Sequence, residues 1–360
     1  MKKLYLKEIL KYIIPILILM SISFFNMYNA RFILDSYSNY LIKQIIYYGI
    51  GFIIMLIVVK FNYEFLYKYI KWLYILFNVL LILVLLFGKS VNGAKAWFSL
   101  GFISFQPSEF MKIILIIYLS KIFYEHNGSD FKLLLKTFLI VLIPSVLTFL
   151  EPDTGCVLFY IIIFLFMVFF KKVNKWWYIS GGSLILIVGG LFLSLYFFEQ
   201  DLFIDIFGTS FFYRMDRLIN FMNNTGYQLE NALIGIGSGG LLGLGINSFH
   251  IYFPEAVTDF VFALILTNMG LVGGLLVLSV FLYLNIILIN DIKKVKGHKK
   301  YFIIGFLGIF LYQQFEHIMM NIGLLPITGI TLPFLSYGGS SLISYFILIG
   351  IILNFKLKKY

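Results

Sequence analysis

Pro254-Glu255-Ala256-Val257-Thr258-Asp259-Phe260-Val261-Phe262 closes a long polar stretch and opens a long apolar one. No charged residue follows Asp259 until Asp291. About 20 mainly apolar residues cross the hydrocarbon core of a bilayer as a helix, so this stretch starts a membrane span. Asp259 stands at the border between water and lipid. Two readings fit a carboxylate there. It can cap the following helix, where Asp is favoured and the helix dipole attracts negative charge. It can instead be a partly desolvated base.

The whole chain has the same character. Of its 360 residues, 61% are hydrophobic and only 12% charged, with a mean hydropathy of +0.95. Soluble domains carry roughly 25% charged residues, so the composition excludes one and specifies an integral membrane protein. The net charge of +11 is then read against membrane lipids, not nucleic acid. Cys156 is the single cysteine, which rules out an internal disulfide and suggests no cysteine metal site. Met1-Lys2-Lys3 leads into an apolar run with no small-residue cleavage site after it, the pattern of an uncleaved first helix.

Apolar runs predict ten spans, near residues 9–27, 41–59, 69–87, 107–124, 133–150, 155–170, 177–197, 260–289, 301–320 and 337–355. The fifth and sixth are almost fused through Glu151-Pro152-Asp153-Thr154-Gly155, where Pro and Gly turn the chain. Most of the 28 Lys and Arg fall at the two termini and in the links after even-numbered spans. The opposite ends hold Arg31, Lys43, Lys89, Lys95, Arg214 and Arg217. Basic residues stay cytoplasmic, which places both termini inside and Asp259 outside. The expectation is an all-α polytopic membrane protein, one domain over residues 1–360. Its single long loop, about 198–259 between spans seven and eight, is expected to pack on the outer membrane surface. The cytoplasmic links are too short for an ATPase.

Several residues are candidates for chemistry. Gln106-Pro107-Ser108-Glu109 reads as a helix start, with Pro in the first turn and Glu at the positive end. Glu109 and Lys112 are three apart and share a face. Lys112 lies about one turn into the membrane, where an ion pairs or lines a cavity. A structural ion pair and a site residue are compatible readings. Gly235-Ile236-Gly237-Ser238-Gly239-Gly240 matches the GxGxxG pattern but follows no strand of a βαβ unit; close packing or a tight turn is the better reading. Residues 321–341 interrupt apolar sequence with two prolines and several glycines. Irregular backbone at membrane depth is tolerated where it lines a cavity or is buried in protein. Glu316 is an intramembrane acid, a functional-site hypothesis by default, whereas His317 reads as an interior residue. No nucleophilic triad is recognisable.

Four segments together resemble one family. They are Asn92-Gly93-Ala94 with Trp97 and Gln106-Pro107-Ser108-Glu109 to Lys112; Pro152-Asp153 with Gly155; Arg217, Tyr227-Gln228 and Ile236-Gly237-Ser238-Gly239-Gly240-Leu241; and Pro254-Glu255 with Thr258-Asp259-Phe260-Val261-Phe262, followed by Gly323-Leu324-Leu325-Pro326 through Ser336-Tyr337-Gly338-Gly339-Ser340-Ser341. In kind and in order they are similar to the motifs of the SEDS family, which includes RodA, FtsW and SpoVE proteins.

The resemblance implies a ten-helix glycosyltransferase of the bacterial cytoplasmic membrane that polymerises lipid II into peptidoglycan strands, for cell shape, division or sporulation. It implies a class B penicillin-binding protein, a transpeptidase, as partner. It places the catalytic base on Asp259 and the family's Glu and Lys on Glu109 and Lys112. With Lys112, Lys95 and Arg217 are then the candidate cations for the pyrophosphate, and Gln106, Ser336 and Ser340 complete the substrate-binding candidates. No protein-bound cofactor or metal is called for, although a divalent cation can assist such a reaction. The chain departs from the family pattern at Lys95-Ala96, Leu244, Val257, Thr267-Asn268 and Glu316-His317-Ile318-Met319, losing polar groups but keeping the acid. Two other classes compete with the enzyme: a lipid II flippase, and a scaffold that positions a transpeptidase without chemistry.

Overall fold

A computed structural model describes residues 2–33, 37–91, 94–101, 103–209, 211–212, 215, 226–246, 252 and 254–357. Twelve helices occur among them. The first three are α1 (Lys2–Ala30), α2 (Ser38–Lys60) and α3 (Tyr63–Phe87). A small antiparallel meander follows, made of β1 (Lys89–Val91), β2 (Ala94–Leu100) and β3 (Ile103–Phe105) in that order. Then come α4 (Pro107–Glu125), α5 (Asp130–Leu150), α6 (Thr154–Lys171), α7 (Lys175–Phe198), α8 (Gln200–Phe207), α9 (Gly226–Gly239), α10 (Val261–Lys294), α11 (His298–Asn321) and α12 (Gly339–Leu357).

Helices start where the sequence supplies caps. Asn62 accepts from the Glu64 N–H at 3.2 Å, Asp153 from Cys156 at 3.1 Å and Asn174 from Trp176 at 3.2 Å, each satisfying a donor that the first turn leaves open.

Among the described residues, nine helices are long and apolar enough to cross a membrane: α1–α3, α5–α7 and α10–α12. The sequence predicts ten. The tenth candidate, α4, has a length of 19 residues but carries Glu109, Lys112, Lys121 and Glu125. Its neighbours explain how it bears them. It packs against α3, α5, α6, α11 and α12, and nearly all its side chains from Pro107 to Phe123 are buried. A helix enclosed by protein on all sides does not need an apolar outer face. The perimeter is the reverse, with apolar side chains such as Ile53, Leu186 and Phe198 exposed, as lipid-facing surfaces are.

Two further features go beyond the expected all-α pattern. The meander turns the link before α4 into a folded cover. The segment expected as a long loop contains α8 and α9, and α9 packs on α10.

Helix α10 is broken at Gly270, whose φ of 63° and ψ of −165° are not helical. Residues 240–245 insert there. Leu244 and Gly245 donate to the carbonyls of Thr267 and Asn268 at 2.9 and 3.1 Å, and Leu271 and Val272 donate to Gly240 and Leu241 at 3.0 and 3.1 Å. The inserted segment thus takes over bonds the helix loses. A Cβ on Gly239 would lie 2.1 Å from the Leu266 carbonyl oxygen. Gly239 therefore serves close backbone packing and Gly240, at a φ of +55°, a turn, as expected from their context, whereas a Cβ on Gly237 would meet open space.

At the basic end of the bundle, Lys356 Nζ pairs with Glu8 at 2.6 Å and Asp291 at 2.7 Å. Tyr12 donates to Asp291 at 2.5 Å. Asn354 donates to the carbonyls of Val59 and Phe61 at 2.8 and 2.7 Å. These bonds tie α1, α2, α10 and α12 together.

Candidate functional site

Asp259 sits in a tight turn ahead of α10. Glu255, with a φ of +54°, points its carbonyl at the N–H groups of Thr258, Asp259 and Phe260, at 3.2, 3.1 and 3.0 Å. The Thr258 hydroxyl donates to Glu255 Oε2 at 2.6 Å. Three outside groups clamp the turn: Tyr337 N–H on the Val257 carbonyl at 2.8 Å, Ser336 Oγ on the Thr258 carbonyl at 2.7 Å, and Asn321 Nδ2 on the Asp259 carbonyl at 2.9 Å. Phe260, not Asp259, occupies the capping position of α10, and no cap bond comes from it. Of the two readings of Asp259, the cap is thus not the one adopted.

The carboxyl of Asp259 is partly accessible and lines a cavity of about 700 Å³. The cavity lies at the bundle end opposite the Lys356 network. Its walls come from α2, the meander, the start of α4, the α5–α6 turn, the Glu255–Asp259 turn and residues 328–341. Burial, and then the neighbouring charge of Glu255, push the Asp259 carboxyl up to about 7. At neutral pH it is therefore poised between its two forms, as an efficient proton acceptor is.

Glu109 lines the same cavity. Lys112 lies just below, fully buried, with its ammonium bonded to Glu109 Oε2 and over the ring of Tyr345 at 4.5 Å. It reaches the cavity only through Glu109. Gln106 lines the cavity and is anchored at both ends. Its N–H donates to Ser340 Oγ at 3.1 Å and its Nε2 to Asp153 Oδ2 at 2.8 Å. Ser340 lines it too, donating to the Ser104 carbonyl at 2.9 Å. Ser336 is buried behind the wall, accepting from Leu332 N–H at 2.8 Å while it holds Thr258.

Lys95 is not part of the lining; its ammonium is bonded to the Leu86 carbonyl at 2.8 Å. Arg217, like Asn92 and Gly93, lies outside the described residues. The lysines that do line the cavity are Lys43 of α2 and Lys89 of β1. Both are exposed, and neither forms an ion pair among the described residues. Sequence reasoning counted them only for topology. Their one local signal is that they are basic residues on the otherwise lysine-poor outer side.

Helix α11 supports the wall formed by residues 328–331. Gln313 Nε2 donates to the Thr331 carbonyl at 2.7 Å, and His317 Nδ1 donates to the Ile330 carbonyl at 2.7 Å. Glu316 accepts from the Thr328 hydroxyl. His317 is thus a structural interior residue. Glu316 stands behind the wall, close enough to Asp259 to interact with it electrostatically. At the α5–α6 turn, burial and then Asp153 push the fully enclosed Glu151 carboxyl up to about 9, so it is a neutral acid at pH 7. Among the described residues, no three His, Cys, Asp or Glu side chains converge on a point that would hold a metal ion.

Comparison with known proteins agrees with this architecture. The family model for the FtsW, RodA and SpoVE cell cycle proteins matches residues 3–360. A protein of Coxiella burnetii named "Probable peptidoglycan glycosyltransferase FtsW" is 34% identical over 88% of this chain and 86% of its own. The stage V sporulation protein E of Bacillus subtilis is 29% identical over 95% of each. A crystal structure of the rod shape determining protein RodA from Thermus thermophilus, 26% identical, superposes with a TM-score of 0.69 over 97% of this chain and 96% of that one. A chain from a peptidoglycan synthase complex shares the fold more closely, with a TM-score of 0.82 at 24% identity over 97% of each chain. With the match running from Lys3 to the last residue, the chain belongs to the FtsW/RodA/SpoVE family of cell cycle proteins.

Proposed function

We propose that this protein is a peptidoglycan glycosyltransferase that extends glycan strands from lipid II at the outer face of the bacterial cytoplasmic membrane, with Asp259 as the general base. The observation that carries the reading is Asp259 itself: an acid free of the capping role, poised near neutrality, lining a cavity that also holds Lys43 and Lys89.

The chemistry asks for little else. One lipid-linked saccharide presents a sugar hydroxyl, and Asp259 takes its proton. The hydroxyl oxygen bonds to the anomeric carbon of the second saccharide, and the bond from that carbon to the lipid pyrophosphate breaks. Lys43 and Lys89 neutralise the charge that develops on the leaving pyrophosphate. In this reading a divalent cation is carried by the substrate's pyrophosphate and not by a protein ligand set. The partner is a class B penicillin-binding protein, whose transpeptidase joins the new strands.

A flippase needs groups that alternate in exposure across the bilayer. Here the opposite end of the bundle is closed by the Lys356–Glu8–Asp291 network, which favours surface chemistry over translocation. The test is polymerisation of lipid II by the purified protein with its partner. Asp259→Asn is expected to insert and bind lipid II yet lose about 10²–10⁴ in rate. A well-folded Asp259→Asn protein that polymerises at near the wild-type rate overturns the assignment. A scaffold predicts no polymer from either form.

A further inference from the structure

Helix α10 has a capping problem. Its first-turn N–H groups need acceptors, and the side chain of Phe260 at the capping position makes no cap bond. The N–H of Ala263, third residue of the helix, is taken by a side chain from elsewhere: Asn321 Oδ1, at 2.9 Å, from the last turn of α11. The same amide donates to the Asp259 carbonyl at 2.9 Å and to the His317 carbonyl at 2.8 Å. Asn321 is fully buried, with both amide donors and its oxygen engaged.

We infer that Asn321 is a positioning residue for Asp259: by capping α10 from the neighbouring helix, it keeps the Asp259 carboxyl off the helix terminus and in the cavity. The inference rests on the reading of Asp259 as the base. The physical ground is competition. Asp is among the favoured N-cap residues, and the start of a helix attracts an anion through its free N–H groups and its dipole. Asp259 is the residue just before the capping position. With the Ala263 N–H unsatisfied, the helix terminus would attract the Asp259 carboxylate, and turning toward the helix would withdraw it from the cavity. The bond to the Asp259 carbonyl adds a second restraint by fixing the peptide from which the carboxyl projects.

The same helix face sets the opposite wall. Gln313, Glu316 and His317 hold residues 328–331, and a Cβ on Gly329 would lie 3.8 Å from Asp259 Oδ2. The base and the surface facing it are therefore both referenced to α11.

The experiment compares Asn321→Ala with wild type in lipid II polymerisation by the full chain with its transpeptidase partner. A misplacement on the order of 1 Å can cost 10²-fold in rate. The expected result is a roughly 10–100-fold fall in kcat, with KM for lipid II changed less than about threefold. A carboxylate drawn to helix N–H groups is stabilised in its charged form, so the acid limb of the pH–rate profile should also move to lower pH. The charged and titratable groups around Asp259 stay in place: Glu255 on its own turn, Glu316 from α11, Glu109 from α4, Asp153 from the α5–α6 turn, Lys43, Tyr40 and Tyr47 from α2, Lys89 from β1 and Tyr337.

Asn285→Leu is the control. Asn285 bonds Gln314 across the same α10–α11 interface at 2.9 Å, about two turns before Asn321 on α11, and makes no bond to the Asp259 turn among the described residues. An Asn321→Ala protein with wild-type kcat and pH midpoint overturns the inference. So does one whose loss equals that of Asn285→Leu with the midpoint unmoved. If alanine does not fold, Asn321→Leu, of similar size, loses both the acceptor for Ala263 and the donor to Asp259, and is read by the same two outcomes. Activity in Asp259→Asn sinks the base assignment and this inference together; an inactive Asp259→Asn beside an unaffected Asn321→Ala sinks this inference alone.

Discussion

Lys112 and Glu109 form an ion pair one turn apart on α4, the helix that the other spans enclose. Lys112 has no exposed surface. Removing one partner of such a pair leaves an uncompensated buried charge, at a cost of about 3–5 kcal/mol. Lys112→Met is therefore expected to lower folding yield and thermal stability sharply. Combining it with Glu109→Gln should recover much of the loss. A double-mutant cycle on unfolding in detergent checks this, and additive single effects would show that the two residues do not interact.

The pH dependence follows from Asp259. Its carboxyl is raised to about 7, first by burial and then by the charge of Glu255. A base works only when ionised, so polymerisation should rise as pH climbs through about 7. Glu255→Gln removes a charge that opposes ionisation, so its acid limb should lie at lower pH than that of wild type. An unmoved limb in a folded variant contradicts this placement of charge.

Lys43 and Lys89 should matter more than Lys95. Hydrogen bonds to charged groups contribute about 1.5–3 kcal/mol, and 1.4 kcal/mol is tenfold. Lys43→Gln and Lys89→Gln are each expected to lower kcat/KM for lipid II by about tenfold or more. Lys95→Gln, whose ammonium only meets the Leu86 carbonyl, should stay within about twofold, as substitutions away from a site do. The reverse ranking would return Lys95 to the cavity and remove the other two.

Much of this was legible in the chain. The spans follow from apolar runs, because lipid permits little else. The Glu109–Lys112 pair follows from helical spacing alone. The cavity cations do not. Lys43 and Lys89 come from separate elements, and only the packing of α2 against α12 and of the meander against α3 brings them to one space. Asn321 was equally hidden, since its two partners lie about 60 residues upstream. The special position of α4 was half visible: its charges could be read, but not the ring of helices that shields them.

Glycine in a helix interior usually costs stability, and replacing it with alanine usually gains about 0.5–1 kcal/mol. Gly189 in α7 has open space where a Cβ would go, and Gly189→Ala should raise the melting temperature slightly. Gly270→Ala should do the opposite. The backbone conformation there is nearly exclusive to glycine and costs other residues about 1–3 kcal/mol. The added carbon would also lie 2.4 Å from the Gly243 nitrogen. Equal effects of the two substitutions in a thermal-shift assay would mean that the break in α10 is not required.

The Lys356 network also has a consequence for biosynthesis. Glu8 and Lys356 are separated by 348 positions. At about 5–20 residues per second, a ribosome makes the second on the order of tens of seconds after the first. Throughout that time Glu8 has only Lys11 of its own helix to pair with, Tyr12 awaits Asp291 for most of it, and α2 awaits α12, its most extensive neighbour. The earliest helices to enter the bilayer are thus the last to find their partners. A nascent chain stopped just before Lys356 would hold nearly every span and the whole cavity wall, but not the latch that closes the bundle.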